Sequence, residues 1–317
     1  MTIETSSGIG VGRAYGSCGE LLQGVTARNR HFLVTLPIRR GSVAVFEPGD
    51  APTTVAPEHK SKARRLAEAM IARSPVLRGG RLTVHSELPE GKGLASSTAD
   101  LVATARAVAD AEERALPVAE LEADLRAIEP SDGVMYPGTV AYFHREVRLL
   151  ARFGTLPALT IVTGDEGGAV DTVEFNRDTP CFSAADKREY DRLLDALGRA
   201  VVRGDVAGIG AVATRSAVLS TALRARPHLD DTIAAARAIG AAGVVVAHSG
   251  TTTGIVLADA HPRRREQVLA AREICARFAC SVTVHHSWRP GRSAETRHPT
   301  VDHTYLSTVV RPESSPR

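Results

Sequence analysis

Four short stretches of this 317-residue chain gather residue types that can do chemistry. The most telling is Pro89-x-Gly91-Lys92-Gly93-Leu94-Ala95-Ser96-Ser97. Its glycines let backbone approach a ligand closely, and the helix-forming run that follows offers unpaired N–H groups at the positive end of its dipole. That combination makes an anion cradle. The hydroxyls of Ser96, Ser97 and Thr98 fall in the first turn, where they can cap the helix, bond phosphate oxygens or help hold Mg²⁺, which prefers oxygen ligands. The plainer alternative is a glycine turn with a Ser/Thr cap and no ligand. The stretch is not a Walker A loop, because no Gly-Lys-Ser/Thr ends it, and no acidic residue closes a following strand as a dinucleotide site requires.

The second stretch, Gly16-Ser17-Cys18-Gly19-Glu20-Leu21-Leu22-Gln23-Gly24, frames a carboxylate and an amide with small residues at the end of a Gly-rich strand. It suits a ligand wall, or else a bulged turn with Glu20 in water. The third, Glu129-Pro130-Ser131-Asp132-Gly133, is a rigid turn able to aim Asp132 as a base toward a hydroxyl and Glu129 toward a metal. Its bland alternative is a helix stop with two solvated acids. The fourth, His248-Ser249-Gly250-Thr251-Thr252-Thr253-Gly254, is a Gly- and hydroxyl-rich loop that could approach phosphates or merely close a hairpin.

The elements that must position these residues follow from periodicity. Strands are expected over 8–17, 31–36 and 42–46, a helix over 58–73 and a strand over 81–87 that runs into the central Gly-rich loop and an Ala-rich helix to about 113. Pro117 opens another helix, which Pro130 ends. The second half reads as a buried strand at 158–162 and helices near 184–203, 205–219 and 229–239. Strands at 243–248 and 253–257, a helix at 263–278 and a strand at 281–286 complete it. The class is α+β, ending as a split βαβ sandwich. The expected division is 1–155 for the part carrying the central loop, 156–290 for the split βαβ part and 291–317 for a weakly ordered tail with one strand at 305–310.

Composition narrows the function classes. With 39 basic against 36 acidic side chains the net charge is only +3, which argues against a dedicated nucleic-acid binder. No apolar run approaches the roughly 20 residues that cross a bilayer, and the first residues lack signal-peptide blocks, so the expected address is the cytoplasm, with no membrane partner. Four cysteines, at 18, 181, 275 and 280, form no disulfide framework. Cys275-x₄-Cys280 with His285 and His286 does not match structural zinc spacing.

Taken in order, the motifs resemble those of the GHMP small-molecule kinase superfamily: an N-terminal GE-containing motif, a central P-x-x-x-G-L-x-S-S loop and a C-terminal Gly-rich loop. Within it, Ser17 to Gly24 and the Glu129–Asp132 turn are similar to the propanediol-utilization type of L-threonine kinase. The likeness spans roughly residues 10 to 287, with Tyr15 standing where a proline is expected and fewer glycines in the third loop. The resemblance implies a ribosomal-protein-S5-like N-terminal domain, a ferredoxin-like C-terminal domain and a cleft for ATP and a small-molecule substrate between them. It implies ATP phosphates at Pro89, Gly91, Lys92, Gly93, Leu94, Ala95, Ser96 and Ser97, and Mg²⁺ at Ser97 and Glu129, with Glu120 or Glu122 as substitutes for the latter. Asp132 would act as catalytic base, and Ser17, Cys18, Glu20, Gln23, Ser249, Gly250 and Thr251 would line the substrate. The implied reaction converts L-threonine to O-phospho-L-threonine, a precursor of the cobalamin nucleotide loop. Another small alcohol, such as homoserine or a mevalonate-like molecule, or a nucleotide sensor without transfer, remains the alternative; a homodimer is left open.

Overall fold

The computed structural model describes residues 8–168 and 182–289. The tail at 291–317, its expected strand and Cys181 lie outside the described residues. The chain opens with two long antiparallel strands, β1 (Gly10–Val25) and β2 (His31–Gly49). Shorter strands were expected from alternation alone. The pair is continuous because β1 absorbs register irregularities between Tyr15 and Ser17, Ser17 and Glu20, and Glu20 and Leu22, bending without leaving the sheet. The GE-containing stretch therefore lies inside a strand, correcting its expected place at a strand end. β4 (Gly79–Ser86) pairs antiparallel with β2, and the short β3 (Thr54–Ala56) runs parallel to β4.

Three helices accompany this sheet: α1 (Ser61–Ile71), α2 (Ser96–Ala111) and α3 (Val118–Arg126). α1 buries Ala63, Leu66, Ala67, Met70 and Ile71, the spacing that marked it as amphipathic. α2 is instead buried on most sides, and its alanines explain how. A Cβ on Gly12 would stand 1.9 Å from the carbonyl oxygen of Ala103, so β1 and α2 touch backbone to backbone. Larger residues at either surface would push the helix, and the cradle at its start, off the sheet.

Two strands that periodicity does not predict, β5 (Thr139–Phe143) and β6 (Arg148–Gly154), pair with each other, and β5 also joins β2 through Leu33 and Val34. All five residues of β5 are buried, so it shows no alternation to read. β7 (Leu159–Asp165) then leads to α4 (Ala184–Arg203) and α5 (Val206–Leu219). α4 starts at a capping box between Ser183 and Asp186 and stops at the left-handed Gly204. α6 (Leu229–Ala238), the hairpin β8 (Gly243–Val246) and β9 (Thr252–Ala258), α7 (Arg264–Ala276) and β10 (Ser281–His286) complete the described chain.

In the second half the strand order is β10-β7-β9-β8, all antiparallel, the split βαβ arrangement expected from sequence. Its own apolar cluster, with Val162, Ile233, Ile255 and Ile274, lies between that sheet and helices α6 and α7. A larger cluster joins the first sheet, α1, α2, α4 and α5. The sheets meet twice. Glu20 of β1 pairs with Val246 of β8, and beyond β10 Ser287 bridges Ile38 of β2 while the Trp288 N–H donates to the Pro37 carbonyl at 2.8 Å. Tyr15 stacks on Trp288 at 4.5 Å beside this second junction. Among the described residues, no helix is long and apolar enough to cross a membrane.

Candidate active site

A cleft of about 320 Å³ opens where α2 begins, within the size range of small-molecule sites. Its wall is the central loop. Gly91 and Gly93 have φ of 70° and 76°, and Ala95, the residue before α2, is left-handed at 56°. No side chain caps the helix, so its first N–H groups are open to an anion. The Ser17 N–H donates to the Leu94 carbonyl at 3.1 Å and pins the loop to β1.

The loop after β8 presses on the other side. A Cβ on Gly93 would lie 2.2 Å from that of Ala247, and one on Gly250 would lie 2.3 Å from the Lys92 carbonyl carbon. The Thr252 hydroxyl donates to the Lys92 carbonyl at 2.8 Å. Arg224 and Arg226 both donate to the Gly250 carbonyl, the latter at 3.2 Å, and Arg226 also reaches the Ala247 carbonyl at 2.7 Å. Gly250 is thus a spacer between two loops. Lys92 turns away from the cleft: its ammonium pairs with Asp165 at 2.8 Å and donates to the Gly168 carbonyl, while Thr251 donates to the same Asp165.

At the start of α2 the Ser97 hydroxyl donates to Glu129, whose other oxygen meets Lys62 at 2.5 Å. Beside them, the Asp132 N–H donates to Thr98 Oγ1 at 3.2 Å, so the Pro130 turn is tied to the helix it faces. Asp132 is half-buried, and withdrawal from water, with the Glu129 carboxylate adding to it, raises its pKa to about 7. Of the three glutamates weighed for a metal, only Glu129 lines the cleft. Glu120 is paired with Arg114 at 2.8 Å, and Glu122 accepts from Tyr136 Oη at 2.7 Å. A hydroxyl and a carboxylate beside an open helix start are the hard oxygen donors that suit Mg²⁺ held mainly by phosphates and water. Among the described residues no cluster of three His, Cys, Asp or Glu could hold a metal by itself, and Cys275 and Cys280 donate to separate carbonyls.

Glu20 also lines the cleft and is 4% exposed. Burial, then the Asp132 carboxylate, pushes its pKa well above the usual carboxylate range. Gln23 lies behind the wall, its side-chain Oε1 accepting from His248 Nδ1 at 2.8 Å and its backbone N–H donating to Ser216 Oγ. Cys18 is fully buried in the core with its thiol pKa pushed up by burial, so it stands as a packing residue.

The cleft therefore gathers Gly91, Gly93, Leu94, Ala95, Ser96, Ser97, Glu129, Asp132, Glu20 and Ser249 from the sequence-derived set. Pro89, Lys92, Ser17, Cys18, Gln23, Gly250 and Thr251 stand outside its lining. Lys60, Lys62, Asp100, His144 and His248 line it without having been assigned a role from sequence. Lys60, at 2.6 Å from Asp100 and 2.5 Å from Glu90, ties the entrance of α1 to α2. Two lysines at the start of an amphipathic helix are visible in the sequence, but nothing local says which carboxylates they meet.

Comparison with known proteins gives this geometry a family. The model of the GHMP kinases N terminal domain matches residues 61–136, and that of the GHMP kinases C terminal domain matches 193–279. An L-threonine kinase from Citrobacter freundii is 27% identical over 249 residues, covering 78% of this chain and 86% of the relative. A 4-diphosphocytidyl-2-C-methyl-D-erythritol kinase from Thermobifida fusca is 31% identical over 257 residues, covering 74% and 77% respectively. In fold, a homoserine kinase from Cytophaga hutchinsonii superposes with a TM-score of 0.65 at 15% identity, covering 91% of this chain and 96% of that one. Both family models flank the cleft just described, one holding the open helix start and the other the strand and loop pressed against it, and the chain belongs to the GHMP kinase family, as an ATP-dependent phosphotransferase acting on an alcohol.

Proposed function

We propose that the acceptor is the side-chain hydroxyl of a small amino acid, foremost L-threonine, giving O-phospho-L-threonine, with Mg-ATP as donor. The observation that carries this reading is the juxtaposition of Asp132, poised near neutrality, with the Ser97–Glu129 pair at the open start of α2. The likeness to L-threonine kinases favours threonine among the alcohols, and with it a role in supplying the cobalamin nucleotide loop.

In this reading the central loop and first-turn N–H groups hold the ATP phosphates, and Ser97 and Glu129 hold Mg²⁺, which neutralises charge on the phosphates. Asp132 accepts the hydroxyl proton as that oxygen bonds the γ-phosphorus and the bond to the β-bridging oxygen breaks, releasing ADP. A base with a pKa near 7 is well matched to this task.

The test offers the purified protein Mg-ATP with L-threonine, L-serine, L-homoserine and mevalonate in turn, following ADP and the product mass. Threonine-dependent ADP with phosphothreonine is the expected result; background rates with threonine and turnover of another acceptor would overturn the substrate assignment. For the metal, Ser97→Ala should raise the Mg²⁺ concentration needed for half-maximal rate by about 10-fold, read by titrating Mg²⁺ at fixed ATP. An unchanged Mg²⁺ requirement would remove Ser97 from the metal site.

A further inference from the structure

Among the described residues, Lys60 and Lys62 are the two Lys or Arg side chains that line the cleft, and they are held differently. Lys60 is 10% exposed and bridges two carboxylates, Glu90 and Asp100, so its ammonium is committed to the frame. Lys62 stands in the first turn of α1 with its side chain 45% exposed, and its ion pair is with Glu129.

Glu129 is the fixed member of that pair. Its N–H donates to the Leu125 carbonyl at 3.0 Å, its own carbonyl accepts from the Ser131 hydroxyl at 3.2 Å, and its side chain is 7% exposed. Each carboxylate oxygen is answered: Oε1 accepts from Ser97 and Oε2 from Lys62 at 2.5 Å. A buried carboxylate needs that answer, because leaving it unpaired is costly. An ammonium thus sits on the oxygen that a metal at this site would claim.

A dication and an ammonium cannot share one carboxylate oxygen, since like charges a few ångströms apart repel strongly where water is scarce. Lys62 is the group able to leave. Its flexible four-carbon stem stands half in water, so release costs no more than breaking a half-exposed ion pair. It has little distance to travel, because Ser97 on the same carboxylate belongs to the first turn of α2, whose open N–H groups take phosphate.

Resting on the assignment of Glu129 to the metal given above, we propose that Lys62 is an exchangeable cation. It answers Glu129 until the metal takes that carboxylate, and then turns to the oxygens of the transferred phosphoryl group. There it keeps its proton and offsets the charge that spreads over those oxygens as the bond to the leaving group lengthens. The exchange brings this cation to the phosphate only once the metal is in place.

The test uses the full chain with the β,γ-imido analogue of ATP, which is not transferred, and follows its binding by calorimetry as Mg²⁺ is titrated. In Lys62→Met the Mg²⁺ concentration for half-maximal binding should fall by about 3–5-fold, the scale of a half-exposed ion pair that no longer has to be broken. With ATP and the acceptor, kcat of the same variant should fall by about 100-fold, the loss on removing one donor to transition-state charge. Lys62→Arg, which keeps the charge, should regain part of the rate. A pair that merely braces the turn has the opposite effect on the metal: an unbraced Glu129 holds it less well, and the Mg²⁺ requirement rises. An unchanged or raised requirement in Lys62→Met, or an unchanged kcat, would overturn the proposal.

The metal assignment beneath it is tested separately by Glu129→Gln, in which the Mg²⁺ requirement should rise by about 10-fold. No rise takes Glu129 out of the metal site and the proposal with it, whereas a rise there without a fall in Lys62→Met overturns the proposal alone. Lys62→Met combined with Glu129→Gln removes both charges and leaves no buried carboxylate unpaired. It should need the same Mg²⁺ as Glu129→Gln, because Lys62 reaches the metal only through that carboxylate; a further shift would overturn the exchange. If no acceptor turns over, the analogue titration decides on the same terms.

Discussion

Asp132→Asn is expected to lower kcat by about 10²–10⁴-fold while leaving ATP affinity within a few-fold, since the amide keeps the shape of the turn but cannot take the proton. The same substitution should stabilise the protein. The folded-state pKa of Asp132 is raised to about 7, so the folded chain binds more protons than the unfolded chain between about pH 4 and pH 7. Stability from this group is therefore fully present below the unfolded value and is lost as pH climbs through 7. At pH 8 the neutral amide should gain ~1–3 kcal/mol, each pKa unit being worth about 1.4 kcal/mol and cleft water screening part of it. Activity runs the opposite way: kcat/KM for the wild type should rise about tenfold per pH unit below pH 7 and level off above it. Stopped assays and thermal melts across pH 5.5–9 on the two proteins measure both limbs. A variant as active as the wild type would take Asp132 out of proton transfer, and a variant less stable at pH 8 would mean its carboxylate is not the strained group.

The second large effect is expected at Gly250→Ala. The added Cβ would stand 2.3 Å from the Lys92 carbonyl carbon and 2.4 Å from the Gly93 nitrogen, both backbone atoms that cannot swing aside. Relief requires the two loops to part. Because the Gly93 backbone belongs to the cradle, kcat/KM for ATP should fall by about 10–100-fold, the scale of loss for reacting groups misplaced by about 1 Å. Overpacking should also destabilise by ~1–3 kcal/mol. Gly49→Ala is the matched control, since its Cβ would meet nothing closer than 3.9 Å. Equal kinetics for the two variants would show that the third loop does not set the shape of the cradle.

What could be read from the sequence was what is decided locally. The central loop was legible because glycines, a Ser pair and a helix start within ten residues leave few other conformations, and β10 fell at residues 281–286 as expected because its alternation is short and clean. The Asp132 turn was legible for the same reason, Pro130 fixing the helix end. β5 was illegible because all five of its residues are buried. The unbroken course of β1 was illegible because its bends depend on the partner strand. The electrostatics of the cleft were hidden by distance along the chain: Lys62 meets Glu129 across 67 positions, and His248 meets Gln23 across 225. Lys92 shows the opposite failure. A lysine inside a Gly-rich loop looks like a phosphate ligand, yet Asp165, 73 residues away by number, draws its ammonium off, a competition that local pattern does not encode.

The double meeting of the sheets has a mechanical consequence. Strands β10, β7, β9, β8, β1 and β2 make a closed circuit, joined at Glu20–Val246 on one side and at Ile38–Ser287 on the other. A body hinged at one seam can swing, whereas one sewn at two cannot do so without tearing a seam. The two seams oppose a swing of one half against the other, so opening and closing of the cleft is expected at loops and side chains of the mouth, such as the Lys60–Glu90 pair. The same circuit makes melting a shared event: losing the backbone bonds at either seam exposes the flank of the other half, so the two halves surrender their structure together.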